Sequence, residues 1–470
     1  MNENKSLIKP LLALAGPIIL ANFFQAAYQL TDAFWVGRLG ESAIASVAVC
    51  MPIIFFMTSL GIGFAIAGAT LTAQYFGAKD EKMVSHSSAQ TLLMVFVVSA
   101  ITSALGYFFA AHILKFLGVE MTIFDSALAY LRISFLGMIF NFVFFMFQSI
   151  MRSIGKAKLP VYIVIGTVIL NFALDPLFMF GVGPIPALGV AGTAWATLFT
   201  QSIASIIGMI ALFSGNHGIK LHWPDFLPDF VFLKKAFWLG LPSSLEQSAR
   251  SLVLTVMTGL ITSFGTLAIA AYGVGSNIFQ LALMLCFGFA GANAALVGQS
   301  LGAGDIKRAD RVAKLSLKLI FTTLSILGVI VFIFGKYFVA FFVPHDMNVI
   351  NEGARFLRFI APTFGLLGIQ VIIGSTLQAS GSTKQSMVLT IISQWVIQLP
   401  MAYLLSKVFH FGLDGIWITL PATSVIMSVI YLVVFLRGKW KEKKLISKEE
   451  QMQTQITEEV KIDEIVGLES

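Results

Sequence analysis

The stretch Gly40-Glu41-Ser42-Ala43-Ile44-Ala45 returns 225 residues later as Gly265-Thr266-Leu267-Ala268-Ile269-Ala270. At that offset Pro17 faces Pro242, Gly63 faces Gly288, and the turn residues Gln74, Gly77, Ala78 and Asp80 face Gln299, Gly302, Ala303 and Asp305. After a small change of offset, Gly155 and Lys158 pair with Gly381 and Lys384, then Gly189 and Gly192 with Gly412 and Gly415. A match carried this far along the chain marks a duplication, so the fold is one half drawn twice.

What each half is made of follows from hydropathy. Apolar runs of about twenty residues recur from Leu11 to Leu436, each long enough to cross roughly 30 Å of hydrocarbon as a helix. Hydrophobic residues make up 57% of the 470 and charged residues 12%, far from globular usage. Forty glycines and fourteen prolines would harm soluble helices but are tolerated in membrane helices, where neighbouring helices and polar side chains satisfy the freed backbone groups. The runs place spans near 11–36, 48–72, 91–113, 128–151, 160–181 and 189–213, then near 236–262, 273–298, 315–342, 354–377, 386–408 and 414–436. The expected fold is therefore an all-α membrane protein of twelve transmembrane helices in two pseudo-twofold-related six-helix bundles. The first bundle takes residues 1–213, a connecting loop 214–235, the second bundle 236–437, and a charged tail 438–470.

The net charge of +7 points to topology rather than to nucleic acid, because the basic residues lie in loops instead of on one helix face. Lys5, Lys9, Lys79, Lys82, Arg152, Lys156, Lys158, Lys220, Lys234, Lys235, Lys307, Arg308, Arg311 and Lys314 fall on one side, which the positive-inside rule makes cytoplasmic. The alternate connections are nearly free of positive charge, so both termini are expected inside. Residues 1–21 have a basic lead and an apolar run like a secretory leader, but their counterpart around Pro242 argues for a retained span. Cys50 and Cys286 have no partner at metal-ligand spacing and read as packing residues. The six histidines are scattered, and no enzyme motif is present.

Six spans per half is an even number, so both halves enter the membrane from the same side and the repeat is parallel. Transporters built from such repeats place substrate between or within the halves and alternate access by moving them. An ionised carboxylate in hydrocarbon costs several kcal/mol, so an acid there usually faces a cavity and has a task. On the first span Asn22, Gln25, Gln29 and Asp32 recur three to four residues apart, with Tyr28 one turn before Asp32. The fifth span repeats the device with Thr167, Asn171 and Asp175, each four apart. A rise of about 1.5 Å per residue puts both aspartates in the outer half of the membrane, where one cavity can hold them. Two buried carboxyls side by side resist holding two negative charges, which suits the pair to take up a proton or a sodium ion. The plainer alternative is Asp32 in water at the outer interface, with Asp175 capping a helix broken at Pro176.

Pro17, after Gly16, sits low in the same helix as Asp32 and permits a bend there, either static or linked to protonation. Glu246 and Arg250 on the seventh span stand at i and i+4, the favourable order for a helical ion pair. They line the central cavity, or they form an internal lock between the halves; the spacing leaves both open. Gln148, Asn277, Gln280, Gln370, Gln394 and Gln398 are further intramembrane polar residues, and none makes a catalytic arrangement.

Taken in order, Ala15-Gly16-Pro17, Thr31-Asp32, Val36-Gly37-Arg38-Leu39-Gly40, Gln148 to Arg152 with Gly155, Asn171, Leu174-Asp175-Pro176-Leu177, Gly189 to Thr193 and Gly240-Leu241-Pro242 resemble the multidrug and toxic compound extrusion (MATE) family over nearly the whole chain. Within it the likeness is to the prokaryotic DinF-like branch. The resemblance implies a proton or sodium site at Tyr28, Asp32, Asn171, Asp175 and Thr193, bending at Pro17, and a drug chamber lined by Gln25 and Gln148. It also implies a monomeric antiporter of a bacterial or archaeal cytoplasmic membrane. Such a protein exports small organic, cationic or amphipathic compounds in exchange for H+ or Na+, with the lipid bilayer as its setting and no cofactor, resident metal or nucleic acid. The rival reading is a lipid-linked oligosaccharide flippase of the same superfamily. A pyrophosphate headgroup calls for several internal cations, whereas Asp32, Asp175 and Glu246 stand against Arg250 alone. The halves are also unequal in chemistry: Asp32 aligns with Met257, and Asp175 falls opposite the stretch near Pro400 and Met401.

Overall fold

The computed structural model describes residues 2–181, 183, 186–216, 218–443, 445 and 446; residues 447–470 of the expected tail lie outside the described residues, as does His217. The described chain is helical. The first half comprises α1 (Asn2–Gly37), α2 (Glu41–Gly77), α3 (Glu81–Phe116), α4 (Met121–Ser153), α5 (Lys158–Phe180) and α6 (Val190–Ser214). The second comprises α7 (Phe230–Thr262), α8 (Thr266–Gly302), α9 (Ile306–Phe342), α10 (Met347–Ala379), α11 (Thr383–Val408) and α12 (Leu413–Leu436). Eleven of these are long and apolar enough to cross a membrane. The remaining one, α7, is 33 residues long and carries Lys234, Lys235, Glu246 and Arg250.

The duplication extends to backbone angles. Gly40 and Gly265 cap the N-termini of α2 and α8 with φ 102° at both and ψ −179° and 178°. Essentially only glycine occupies that region, because a Cβ there meets the backbone. Gly189 and Gly412, ahead of α6 and α12, match in the same way with φ 56° and 58°. Asp80 and Asp305 cap α3 and α9 by accepting from the backbone N–H of Met83 and Arg308 at 2.9 and 2.8 Å.

Several helices outrun the apolar windows that announce them. α2 and α8 have 37 residues each, longer than hydrocarbon demands, and run on to Gly77 and Gly302. The connection expected over 214–235 is shorter than that. α7 begins at Phe230, since the Asp229 carboxylate accepts the backbone N–H groups of Val231 and Phe232 at 3.0 Å each. Those bonds, Phe232 first, hold the Asp229 carboxyl below the usual carboxylate range. A depressed acid stabilises the fold above its ordinary pKa, and the contribution fades as pH falls through the lowered value. Asp229→Ala is expected to lower stability by about 1 kcal/mol at neutral pH. In thermal unfolding in detergent, the gap between parent and variant should narrow in acid.

Two hydrophobic cores form, and their boundary does not follow the chain. Leu7, Leu11, Leu14, Ala15 and Ile18 of α1 are buried in the core of the second half, with Cys286, Phe289 and Leu296 of α8. Reciprocally, Phe232, Ala236 and Leu239 of α7 belong to the core of the first half, with Phe64, Ala67 and Leu71 of α2. The lower parts of α1 and α7 are thus exchanged between halves, and glycines permit the crossing. A Cβ on Gly63 would collide with the Ser244 backbone, and one on Gly288 with the Ile19 side chain, at positions related by the 225-residue repeat.

Candidate functional site

The first-half site is built where α1, α5 and α6 meet. α5 stays helical from Lys158 through Pro176 to Phe180, so Asp175 sits inside a continuous helix rather than at a broken end. Asp175 and Asn171 have no exposed surface, Thr167 is 6% exposed, and the three form one face. Asn171 Nδ2 donates to Asp175 Oδ1 at 3.3 Å. The carboxyls of Asp32 and Asp175 lie close enough to act on one another directly. Asp32 is half-buried, with its Oδ1 enclosed.

α6 supplies a threonine face. Thr197 Oγ1 donates to Asp32 Oδ2 at 3.5 Å, and the Tyr28 hydroxyl and Thr200 Oγ1 share a hydrogen bond of 2.6 Å. Thr193, one turn from Thr197, is buried and returns its hydroxyl to the Val190 carbonyl at 2.7 Å. Thr197 and Thr200 are absent from the sequence-derived set. The signal for them was present in the spacing Thr193, Thr197, Thr200, which puts three hydroxyls on one face of α6.

Three buried oxygens of this cluster have no hydrogen-bond donor: Asp32 Oδ1, Asp175 Oδ2 and Asn171 Oδ1. Buried polar atoms in folded proteins are nearly always satisfied, so each exception calls for an explanation. Three acceptor oxygens without a donor, two of them on carboxyls, can be completed by a proton or by a small hard cation that takes oxygen ligands. Among the described residues there is no group of three or more His, Cys, Asp or Glu placed to hold a metal. A bound cation would therefore be held by the mixed set of two carboxylates and an amide oxygen.

The other expected residues are distributed as follows. α1 runs unbroken from Asn2 to Gly37 through Pro17. Gln25 is half-buried on α1, one turn below Tyr28. Gln148, expected on a chamber wall, is enclosed on α4 at 6% exposure, among Phe147, Ser149 and their neighbours. Glu246 likewise has no exposed surface. Its Oε1 accepts from Arg250 Nη2 at 2.8 Å and Thr390 Oγ1 at 3.0 Å, and its Oε2 from Gln378 Nε2 at 3.2 Å. Arg250 Nη2 also reaches Thr390 Oγ1 at 3.1 Å, and Thr390 meets the Tyr431 hydroxyl at 3.4 Å. This network ties α7 to α10, α11 and α12. The Arg250 side chain remains 31% exposed and is the part that reaches outward.

A duplicated bundle of membrane helices with a buried acid pair in its first half has the build of a membrane transporter. The MatE family model matches residues 17–177 and 242–404, once in each half, and the chain belongs to that family. It is 26% identical to "Probable multidrug resistance protein YoeA" of Bacillus subtilis, over 91% of this chain and 93% of that protein. To the multidrug export protein MepA of Staphylococcus saprophyticus it is 24% identical, over 92% of this chain and 95% of that one. Its fold matches the outward-facing conformation of a multidrug resistance MATE family transporter with a TM-score of 0.85 at 22% identity, covering 93% of this chain and 97% of that structure.

Proposed function

We propose that the protein is a multidrug efflux antiporter that exports organic cationic or amphipathic compounds across the cytoplasmic membrane in exchange for H+ or Na+. The observation that carries this reading is the trio of donor-free buried oxygens on Asp32, Asp175 and Asn171. An ion arriving from outside neutralises the pair, and the halves rock about the exchanged helices α1 and α7. The organic substrate is then released outward. A substrate loaded from the cytoplasm favours loss of the ion in the next cycle. Coupling runs through the first half, as in the DinF-like branch, because the second-half acid is already neutralised by Arg250. The protein works as a monomer with both termini in the cytoplasm, an orientation supported by the basic loops.

The test is efflux of a fluorescent organic cation such as ethidium from proteoliposomes under an imposed pH gradient, and separately under an imposed sodium gradient. Efflux driven by one of the two is expected and identifies the ion. Efflux that follows neither gradient overturns the antiporter reading.

A further inference from the structure

The lower part of α1 travels with the second-half core and the lower part of α7 with the first, so bonds involving those segments stay within one packed body. Among the described residues, side-chain bonds pass from one body to the other along the middle of α7, where Ser244 and Ser248 meet Leu60 and Ser59 of α2, and again at the end carrying the turns 74–80 and 299–305. There Gln74 Nε2 on α2 donates to the Ala379 carbonyl at 2.8 Å, and Gln299 Nε2 on α8 donates to the Ser153 carbonyl at 2.7 Å. The two glutamines are 225 positions apart and their acceptors 226, so the contacts are one contact repeated by the pseudo-twofold.

The chemistry of the acceptors gives the contact its meaning. Ser153 and Ala379 are the last residues of α4 and α10. Final-turn carbonyls of a helix have no intrahelical donor and must find one elsewhere. Each glutamine therefore caps a helix of the opposite body, and only while the bodies are together. Gly77 and Gly302 make the approach possible: a Cβ on Gly77 would collide with the Gln299 carbonyl, and one on Gly302 with the Gln74 carbonyl.

We propose that Gln74 and Gln299 are the paired latches of the cytoplasmic gate, holding it shut by capping the ends of α10 and α4 across the interface. The latches are unequal. The end of α10 also receives, from the same helix as Gln74, Thr70 Oγ1 on the Gln378 carbonyl at 3.2 Å. The end of α4 is met from the other body by Gln299 alone among the described bonds. Gln299 is therefore the stronger determinant of closure, and Gln74 is backed by Thr70 on the same helix face.

The inference rests on the alternating-access reading, but its test needs neither substrate nor gradient, so failure of transport and failure of the latch appear in different assays. Spin labels at Glu81→Cys and Lys307→Cys, with Cys50 and Cys286 replaced by Ala, report the width of the gate in lipid nanodiscs by pulsed electron resonance. A lost hydrogen bond shifts a two-state balance by roughly fivefold. Gln299→Leu is expected to raise the wide-gate population by about that factor, and Gln74→Leu by less. Adding Thr70→Val to Gln74→Leu should bring it level with Gln299→Leu. The isosteric Gln299→Glu keeps the shape, loses the two N–H donors when ionised, and should also open the gate. A parent-like distance distribution in Gln299→Leu and Gln299→Glu, or a larger opening in Gln74→Leu than in Gln299→Leu, overturns the assignment.

Discussion

Asparagine in place of Asp175 or Asp32 is expected to bring gradient-driven efflux down to the leak of protein-free vesicles while leaving the protein folded. Each substitution keeps the size of the side chain and removes one of the two carboxyls of the first-half site. Asn171 lies one turn from Asp175 and already donates to it at 3.3 Å. An amide at 175 keeps a polar partner for Asn171, so the helix interface between α1 and α5 should survive. What each substitution removes is one of the two carboxyls whose donor-free oxygens a proton or cation would complete. The expected signature is retained dye binding with loss of response to the driving gradient. Equal loss of binding and transport would assign the acids to substrate recognition instead.

Arg250→Ala is expected to destabilise the protein by about 3–5 kcal/mol, the usual consequence of stranding a buried charge without its partner. Glu246 has no exposed surface, and of its donors only Arg250 is charged. The double variant Glu246→Gln with Arg250→Met removes both charges and keeps the volumes, and should recover most of that loss. Denaturation midpoints in detergent for the two single variants and the double one measure the coupling. If the network is a structural lock, the double variant regains transport as well as stability. Recovery of stability without transport would mean that the exposed part of Arg250 contacts the substrate.

The scaffold was legible because a duplication leaves two independent records of the same constraint. Gly40 and Gly265 could be paired from sequence, and the matching φ of 102° explains why neither can carry a side chain. The Thr167, Asn171, Asp175 face on α5 was also readable, since helical spacing alone puts those residues together, whereas of the stripe read on α1 Gln29 is exposed and Asn22 and Gln25 are half-buried. Other features depend on neighbours far along the chain. The burial of Glu246 is set by Gln378, Thr390 and Tyr431, each more than a hundred residues away. The exchange of α1 and α7 was hidden for a different reason. A repeat says which helices are equivalent but not which half each one packs against, and both arrangements bury the same apolar faces. Thr197 and Thr200 were missed because threonine is common in membrane helices, and its hydroxyl usually returns to its own backbone, as that of Thr193 does.

The central claim is that ion and substrate exchange through the Asp32 and Asp175 pair. It is tested most directly by recording ion movement when substrate is added. Proteoliposomes carrying an internal pH-sensitive or sodium-sensitive dye are given a gradient of the organic cation and no imposed ion gradient. The parent protein should move H+ or Na+ in the direction opposite to the cation, and the Asp175→Asn variant should move neither ion. The same counter-movement in parent and variant would contradict the account.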